Sequence, residues 1–244
     1  MTHKINPSMD GVHWATTNQE VVFKSEAGPP GRDYDLIVIG AGYCGLSVAL
    51  NAAKEGLSVA LLEAGAIGSG ASGRNGGFVV PQFPGSITAE DVAAVIGKDR
   101  ADRLAKLVAG GPSYVFDLIR EYEIKCAPQQ NGWLQPAHSE KSLKKVKRAF
   151  NSWRDRGVDV EWLDATALHE RTGASGYLGG WFRSTGGGIN PYSLALGLAR
   201  VASGLGVHIR EGADVRSVET DGTAKVVATT LGEYRAKKVV VTTN

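Results

Sequence analysis

Cysteine, methionine and charge of a single sign are scarce in this chain. Only two cysteines, Cys44 and Cys126, occur in 244 residues. They form no Cys-x-x-Cys pair and no Cys/His ligand set, which argues against a disulfide framework or a zinc site and favours a reducing compartment. The formal net charge is only +2 at pH 7. Lysine and arginine are dispersed apart from Lys144, Lys145, Lys147 and Arg148, which read as the solvated face of a helix. The electrostatic footprint of a nucleic-acid binder is therefore missing. No apolar run approaches a membrane span, and residues 1–30 lack the apolar core of a signal peptide. What remains is ordinary globular composition, with 43% hydrophobic residues, and the expectation of a soluble cytoplasmic protein without metal, membrane span or nucleic-acid partner.

Residues 1–32 are polar, bounded by Pro and Gly and without period, so they are expected to be an arm lying over a domain. Trp14 is its candidate anchor, with a loosely ordered terminus as the alternative. The continuous apolar run Leu36, Ile37, Val38, Ile39 fits a strand buried on both faces of a parallel sheet. Glycines then open a helix pattern carrying Leu46, Val48, Ala49, Leu50, Ala52 and Ala53, which stops at Gly56. A second buried strand, "LSVALLEA", completes a β-α-β unit.

Residues 65–86 hold seven glycines and no period, so they are expected to form a long loop with a function. Helices are predicted near 88–97, 99–122, 140–156, 165–171 and 192–204. Strands are predicted at "NGWLQPA", "VDVEWLD", "GYLGGWFR", "VHIRE", "DVRSVET", "AKVVATT" and "KVVVTTN". The pattern is α/β, interrupted between about 88 and 186 by mixed helices and strands.

Gly40, Gly42 and Gly45 form Gly-x-Gly-x-x-Gly directly after a strand and opening a helix. The first glycine permits a tight turn, the second lets backbone approach a pyrophosphate, and the third permits close helix–strand packing. Glu63, ending the second strand, is placed to accept both hydroxyls of an adenosine ribose. An acid at that point disfavours a 2′-phosphate and leaves FAD or NAD. The loop "GSGASGRNGG" decides for FAD, because its serial N–H groups, hydroxyls and cation suit a longer, buried dinucleotide.

On these residues the sequence resembles the D-amino-acid oxidase-like FAD-dependent oxidoreductases, which include glycine and sarcosine oxidases. "ASGRNGG" at 71–77 looks most like the branch containing gamma-glutamylputrescine oxidase. The stretch "GGGINPYSLALGLARVASGLGVHIREGADVRSVE" carries the resemblance further, so that it covers nearly everything from Asp35 onward. The resemblance implies a Rossmann-like, GR2-type FAD-binding domain interrupted by a mixed α+β substrate domain. It divides the chain into an arm (1–32), a first FAD-binding part (33–87), a helical linker with part of the substrate domain (88–186) and a second FAD-binding part (187–244).

By the same resemblance Gly40, Gly42, Gly45, Glu63 and Ala64 hold the ADP portion. Ser72, Gly73, Arg74, Asn75, Gly76 and Gly77 pass the pyrophosphate and reach the flavin ring, and Val215 sets its backbone against the adenine. Some relatives attach flavin through a histidine in this loop. Arg74 and Asn75 stand there instead, so noncovalent FAD is expected. Those two residues are also the candidates for polar groups beside the flavin, with phosphate contact or loop anchoring as the alternative.

The family's pattern continues well past "KVVVTTN", so the resemblance covers its N-terminal half only, and a second polypeptide carrying the other half, from a cleaved or gene-split enzyme, is expected, with a fragment of a longer product as the alternative. The implied activity is oxidation of a C–N bond of an amine or amino acid by hydride transfer to flavin N5, an oxidoreductase acting on CH–NH2 or CH–NH groups. A flavin-dependent 2-hydroxy-acid or glycerol-phosphate-type oxidoreductase is the alternative, as is a noncatalytic FAD-binding subunit. Elsewhere, Cys44 is expected to be a small residue packed on its helix, and His138, His169 and His208 to have surface or core roles. Trp133, Trp153, Trp162 and Trp181 are expected in a core, with Trp181 or Phe182 as a candidate substrate-pocket wall.

Overall fold

The computed structural model describes residues 8–25 and 33–243. These form two compact units. One holds the described residues up to Gly77 together with Tyr122–Ala127 and the chain from Asn190; the other holds Phe78–Glu121 and Pro128–Ile189.

The first unit opens with the single turn α1 (His13–Thr16), followed by strand β1 (Asp33–Ile39), helix α2 (Tyr43–Lys54) and strand β2 (Val59–Leu62). Leu36 to Ile39 and all of β2 are buried, as continuous apolar runs require when strands have neighbours on both sides. Helix α2 ends where Gly56 takes φ +80°, a value that favours glycine.

The second unit comprises β3 (Phe78–Val79), α3 (Ala89–Ile96), α4 (Lys98–Glu121), β4 (Trp133–Ala137), α5 (Glu140–Arg154), β5 (Glu161–Asp164), α6 (Ala165–Thr172), β6 (Gly179–Arg183) and β7 (Gly187–Gly188). Strands β4, β6 and β5 make an antiparallel sheet in that order. Three helices start at side-chain caps: Thr88 and Ser139 build capping boxes, and Asp164 accepts the Ala167 N–H. Pro112 sits inside α4 and lacks the N–H that its turn would use. The buried Arg183 donates to Ala109 O at 2.7 Å, beside that opened turn, and to Pro81 O at 3.1 Å.

Trp153 and Trp181 belong to this unit's core, with Trp133 and Trp162 packed against it, and Trp153 stacks on Phe83 at 5.4 Å. Trp181 is wholly enclosed, which makes it a core residue rather than a pocket wall; Phe182, next along the strand, is half-buried.

The chain re-enters the first unit at α7 (Pro191–Gly204), then β8 (His208–Arg210), β9 (Val215–Asp221), β10 (Ala224–Thr229) and β11 (Gly232–Val241). The resulting six-stranded sheet runs β8-β2-β1-β11-β10-β9. Its first four strands are parallel, and β10 and β9 fold back antiparallel. Helix α7 is buried from Pro191 to Ala199, so its apolar residues need no alternation. Asn190 caps it by accepting the Ser193 N–H at 3.0 Å. His208 is half-buried beside Tyr34, whose hydroxyl bonds its Nδ1.

The described part of the arm lies along this unit. Ser193 Oγ donates to Asn18 Oδ1 at 2.6 Å. Glu20, its side chain 2% exposed, pairs with Arg200 Nε at 3.1 Å. The Val21 and Lys125 N–H groups donate to the same carboxylate at 3.0 and 3.2 Å. Burial alone would raise the Glu20 pKa, but the bonds from Arg200, Val21 and Lys125 hold it below the usual carboxylate value.

Candidate dinucleotide site

The glycine turn between β1 and α2 is built on three close approaches. Gly40 has φ +104°, and a Cβ there would lie 3.2 Å from the Thr242 backbone and hydroxyl. A Cβ on Gly45 would fall 1.9 Å from Gly40 O, a position no side chain can occupy. On Gly42 it would lie 2.9 Å from Ser72 Oγ. The turn thus needs glycine for backbone shape, helix–strand contact and access to the loop, each at a different position. Thr242 Oγ1 lies 2.8 Å from Ile39 O and 3.0 Å from Gly40 O, and the Thr242 N–H also donates to Ile39 O at 2.9 Å, continuing the pairing of the two strands to the turn.

Glu63 follows β2 and points back to the turn. Ala41 N–H donates to Oε2 at 2.7 Å and Gly65 N–H to Oε1 at 2.8 Å. Its backbone is held from the other side, with Glu63 N–H donating to Arg210 O at 2.8 Å and Ala213 N–H to Glu63 O at 2.9 Å. Each carboxylate oxygen keeps a further lone pair, so the acid is oriented and still able to accept hydroxyls. Nearby, Ile67 N–H donates to Glu211 Oε1 at 2.7 Å. Burial, against that bond and reinforced by the Glu63 charge, raises the Glu211 pKa. Ala64 is exposed, and Val215 is half-buried at the start of β9, paired with Thr229.

Helix α2 points its N-terminus at the loop. Its cap, Gly42, supplies no side chain, and no acid occupies the first turn, so the positive end of the helix dipole is not neutralised from within. Ser72 Oγ accepts the Tyr43 N–H at 3.0 Å, which brings the loop directly onto that end. The loop is tightly wound: a Cβ on Gly73 would lie 2.3 Å from Gly68 O, and Gly77 has φ +73°. Asn75 closes its own turn, donating to Ser72 O at 2.8 Å and accepting the Gly77 N–H at 2.8 Å. Arg74 Nε donates to Ser69 O at 2.7 Å, and its Nη2 bonds Ser8 O. Both side chains are thus engaged with loop and arm backbone; Gly76 is exposed.

Tyr43 donates its hydroxyl to Pro191 O at 2.8 Å, and burial raises its pKa strongly. Cys44 is exposed on α2, a correction to its expected packing: the α2 face it lies on turns away from the sheet. Cys126 is buried, and burial pushes its thiol up to about 12, far from thiolate reactivity. Among the described residues no group of His, Cys, Asp and Glu could hold a metal ion, and no helix is long and apolar enough to cross a membrane.

The residues present fit a dinucleotide. The close-approach glycines leave a cradle that a Cβ would fill, the helix end is uncapped by acid, and one oriented carboxylate stands where a ribose can reach it. Gly40, Gly42, Gly45, Glu63 and Ser72 are brought together here. Thr242, Glu211 and Ser8 join the same constellation without a sequence signal, since each arrives through the fold from a distant stretch, and Trp14, the candidate anchor of the arm, joins it at Asn75 O.

Comparison with known proteins agrees with this geometry. A family model described as FAD dependent oxidoreductase (DAO) matches residues 35–244. The chain is 34% identical over 211 residues to the gamma-glutamylputrescine oxidoreductase of Escherichia coli strain K12, covering 86% of this chain and 49% of that protein. It is 28% identical over 229 residues to the sarcosine oxidase subunit beta of Rhodobacter capsulatus, covering 89% and 51%. The crystal structure of glycine oxidase from Geobacillus kaustophilus superposes with a TM-score of 0.71 at 25% identity, covering 86% of this chain and 55% of that one. The chain therefore spans about half the length of the relatives it matches. With its mixed α/β fold and a match running from Asp35 to Asn244, the chain belongs to the DAO family of FAD-dependent oxidoreductases.

Proposed function

We propose that this chain carries the FAD-binding portion of an oxidoreductase that oxidises the C–N bond of an amine or amino acid. The observation that carries the reading is the junction of the glycine turn, the Glu63 carboxylate and Ser72 at the N-terminus of α2. That junction supports the cofactor part of the reading, and the amine-type substrate is supported by relatives that bear the names gamma-glutamylputrescine oxidoreductase and glycine oxidase.

In this reading Gly40, Gly42, Gly45 and Glu63 hold the ADP portion, with Ala64 beside them and Val215 against the adenine. Ser72 to Gly77 line the pyrophosphate side. FAD held there supplies a hydride acceptor, at flavin N5, for the carbon beside an amine nitrogen. The chain's own groups orient and shield: Glu63 fixes the ribose end, the α2 N–H groups face the phosphates, and Arg74 and Asn75 keep the loop in register. Attachment is noncovalent.

A partner polypeptide is part of this reading, supported by the relative named as a sarcosine oxidase subunit. The two free cysteines suit a reducing compartment, the cytoplasm.

An anaerobic visible spectrum of the purified protein tests this. The oxidised-flavin band at about 450 nm should bleach on addition of an amine or amino acid. A band bleached by a 2-hydroxy acid and by no amine overturns the C–N assignment, and a band that no donor touches marks a noncatalytic FAD-binding subunit.

A further inference from the structure

The arm and the cofactor loop are tied by bonds that the family assignment does not require. Trp14 Nε1–H donates to Asn75 O at 2.7 Å, and Trp14 O accepts Asn190 Nδ2 at 2.9 Å. A few residues earlier, Ser8 O accepts the Arg74 guanidinium. Asn75 is the residue whose side chain closes the turn from Ser72 to Gly77, and Ser72 is the one seated on the α2 N-terminus. One line of hydrogen bonds therefore runs from the arm through Asn75 to the helix end.

The arm is in turn fixed to the sheet and to α7. Glu20 pairs with Arg200, Asn18 bonds Ser193, and Ser25 Oγ lies 3.3 Å from both Ile209 O and the Glu211 N–H. Helix α1 is four residues long, too short to persist alone, so its order comes from these tertiary bonds.

The loop explains why such a fixture matters. Residues 68–77 contain five glycines, each with more backbone freedom to lose on ordering than any other residue. A loop that must be ordered by its ligand binds that ligand more weakly than one ordered beforehand. The Asn75 carbonyl has no partner within its own turn to set its position, and the Trp14 indole provides one.

We propose that Trp14 is a positioning residue for the cofactor: its indole N–H holds Asn75 in place and so pre-orders the loop from Ser69 to Gly77 before the dinucleotide binds. This rests on the reading of the site as the FAD site. In this role Trp14 acts through Asn75 and Ser72.

The test is Trp14→Phe, which keeps the aromatic ring and removes the donor, made in the full chain. FAD release should accelerate about three- to tenfold, the range expected for one lost hydrogen bond. Backbone amides of residues 69–77 should exchange hydrogen faster in the FAD-free protein, while its Tm stays within about 2 °C of wild type. Trp14→Ala should accelerate release at least as much.

A purely structural arm predicts the reverse, a lowered apo Tm with unchanged FAD release, and that result overturns the proposal. Faster loop exchange without faster FAD release also overturns it, because the loop would then be ordered without consequence for the cofactor. Wild-type protein that takes up no FAD overturns the reading of the site and the proposal with it.

Discussion

Thr242 and Gly40 meet where β1 turns into α2: the threonine hydroxyl lies 3.0 Å from the glycine carbonyl, and a Cβ on that glycine would come within 3.2 Å of the threonine. The end of β11 and the cofactor turn are therefore one piece of structure. Thr242→Val, nearly isosteric, should cost about 1 kcal/mol by taking the hydroxyl from Gly40 O, while Ile39 O keeps the backbone N–H of residue 242. Thermal unfolding should show a Tm lower by about 2–4 °C.

Two glycines in helices should respond in opposite directions to alanine. Gly45→Ala places a methyl 1.9 Å from a backbone carbonyl, so the turn must open; lost FAD uptake and a Tm fall of more than about 5 °C are expected. Gly110 lies inside α4 with nothing within 4 Å of its would-be Cβ. Gly110→Ala should raise stability by about 1 kcal/mol.

Glu63→Gln tests the ribose end. The amide substitutes a donor for one acceptor against the Ala41 and Gly65 N–H groups and removes the charge. FAD affinity, followed by flavin fluorescence, should fall roughly ten- to a hundredfold, in line with loss of charge-assisted bonds.

Acid should loosen the arm. The Glu20 pKa is held below its ordinary value of 4.5, so the folded state favours the ionised form. Its contribution is complete well above pH 4.5 and is lost as pH falls through that value toward the folded pKa. Denaturant midpoints measured across this range should decline more steeply in wild type than in Glu20→Gln, where no proton can be taken up at that site.

Much of the architecture was readable because the signals are local. The unbroken run Leu36 to Ile39, the glycines beyond it and the acid after β2 each depend on neighbours a few residues away, and all appear as expected. The helices at 88–97, 99–122 and 140–156 lie within a few residues of α3, α4 and α5, which amphipathic spacing delimits. The order of strands was not readable. Nothing in "KVVVTTN" says that it lies parallel beside β1 while β10 and β9 turn back.

Arg74 and Asn75 show where local reading stops. Their types and spacing mark a polar loop near a cofactor, but their partners, Ser8 and Trp14, lie more than 60 residues away in the chain. Which donors meet which carbonyls there is a matter of packing between arm, loop and α7.

The sequence by itself determined that a strand, a glycine turn and a helix would follow one another and bring N–H groups and one carboxylate together, because backbone sterics and hydrophobic period act over short range. The tertiary structure alone decided that Thr242 would brace that turn, that Glu211 would share the acid's neighbourhood, that Arg183 would meet the turn opened by Pro112, and that Cys44 would face outward. Each of these depends on burial and on hydrogen bonds between distant segments, which are settled only when the core closes.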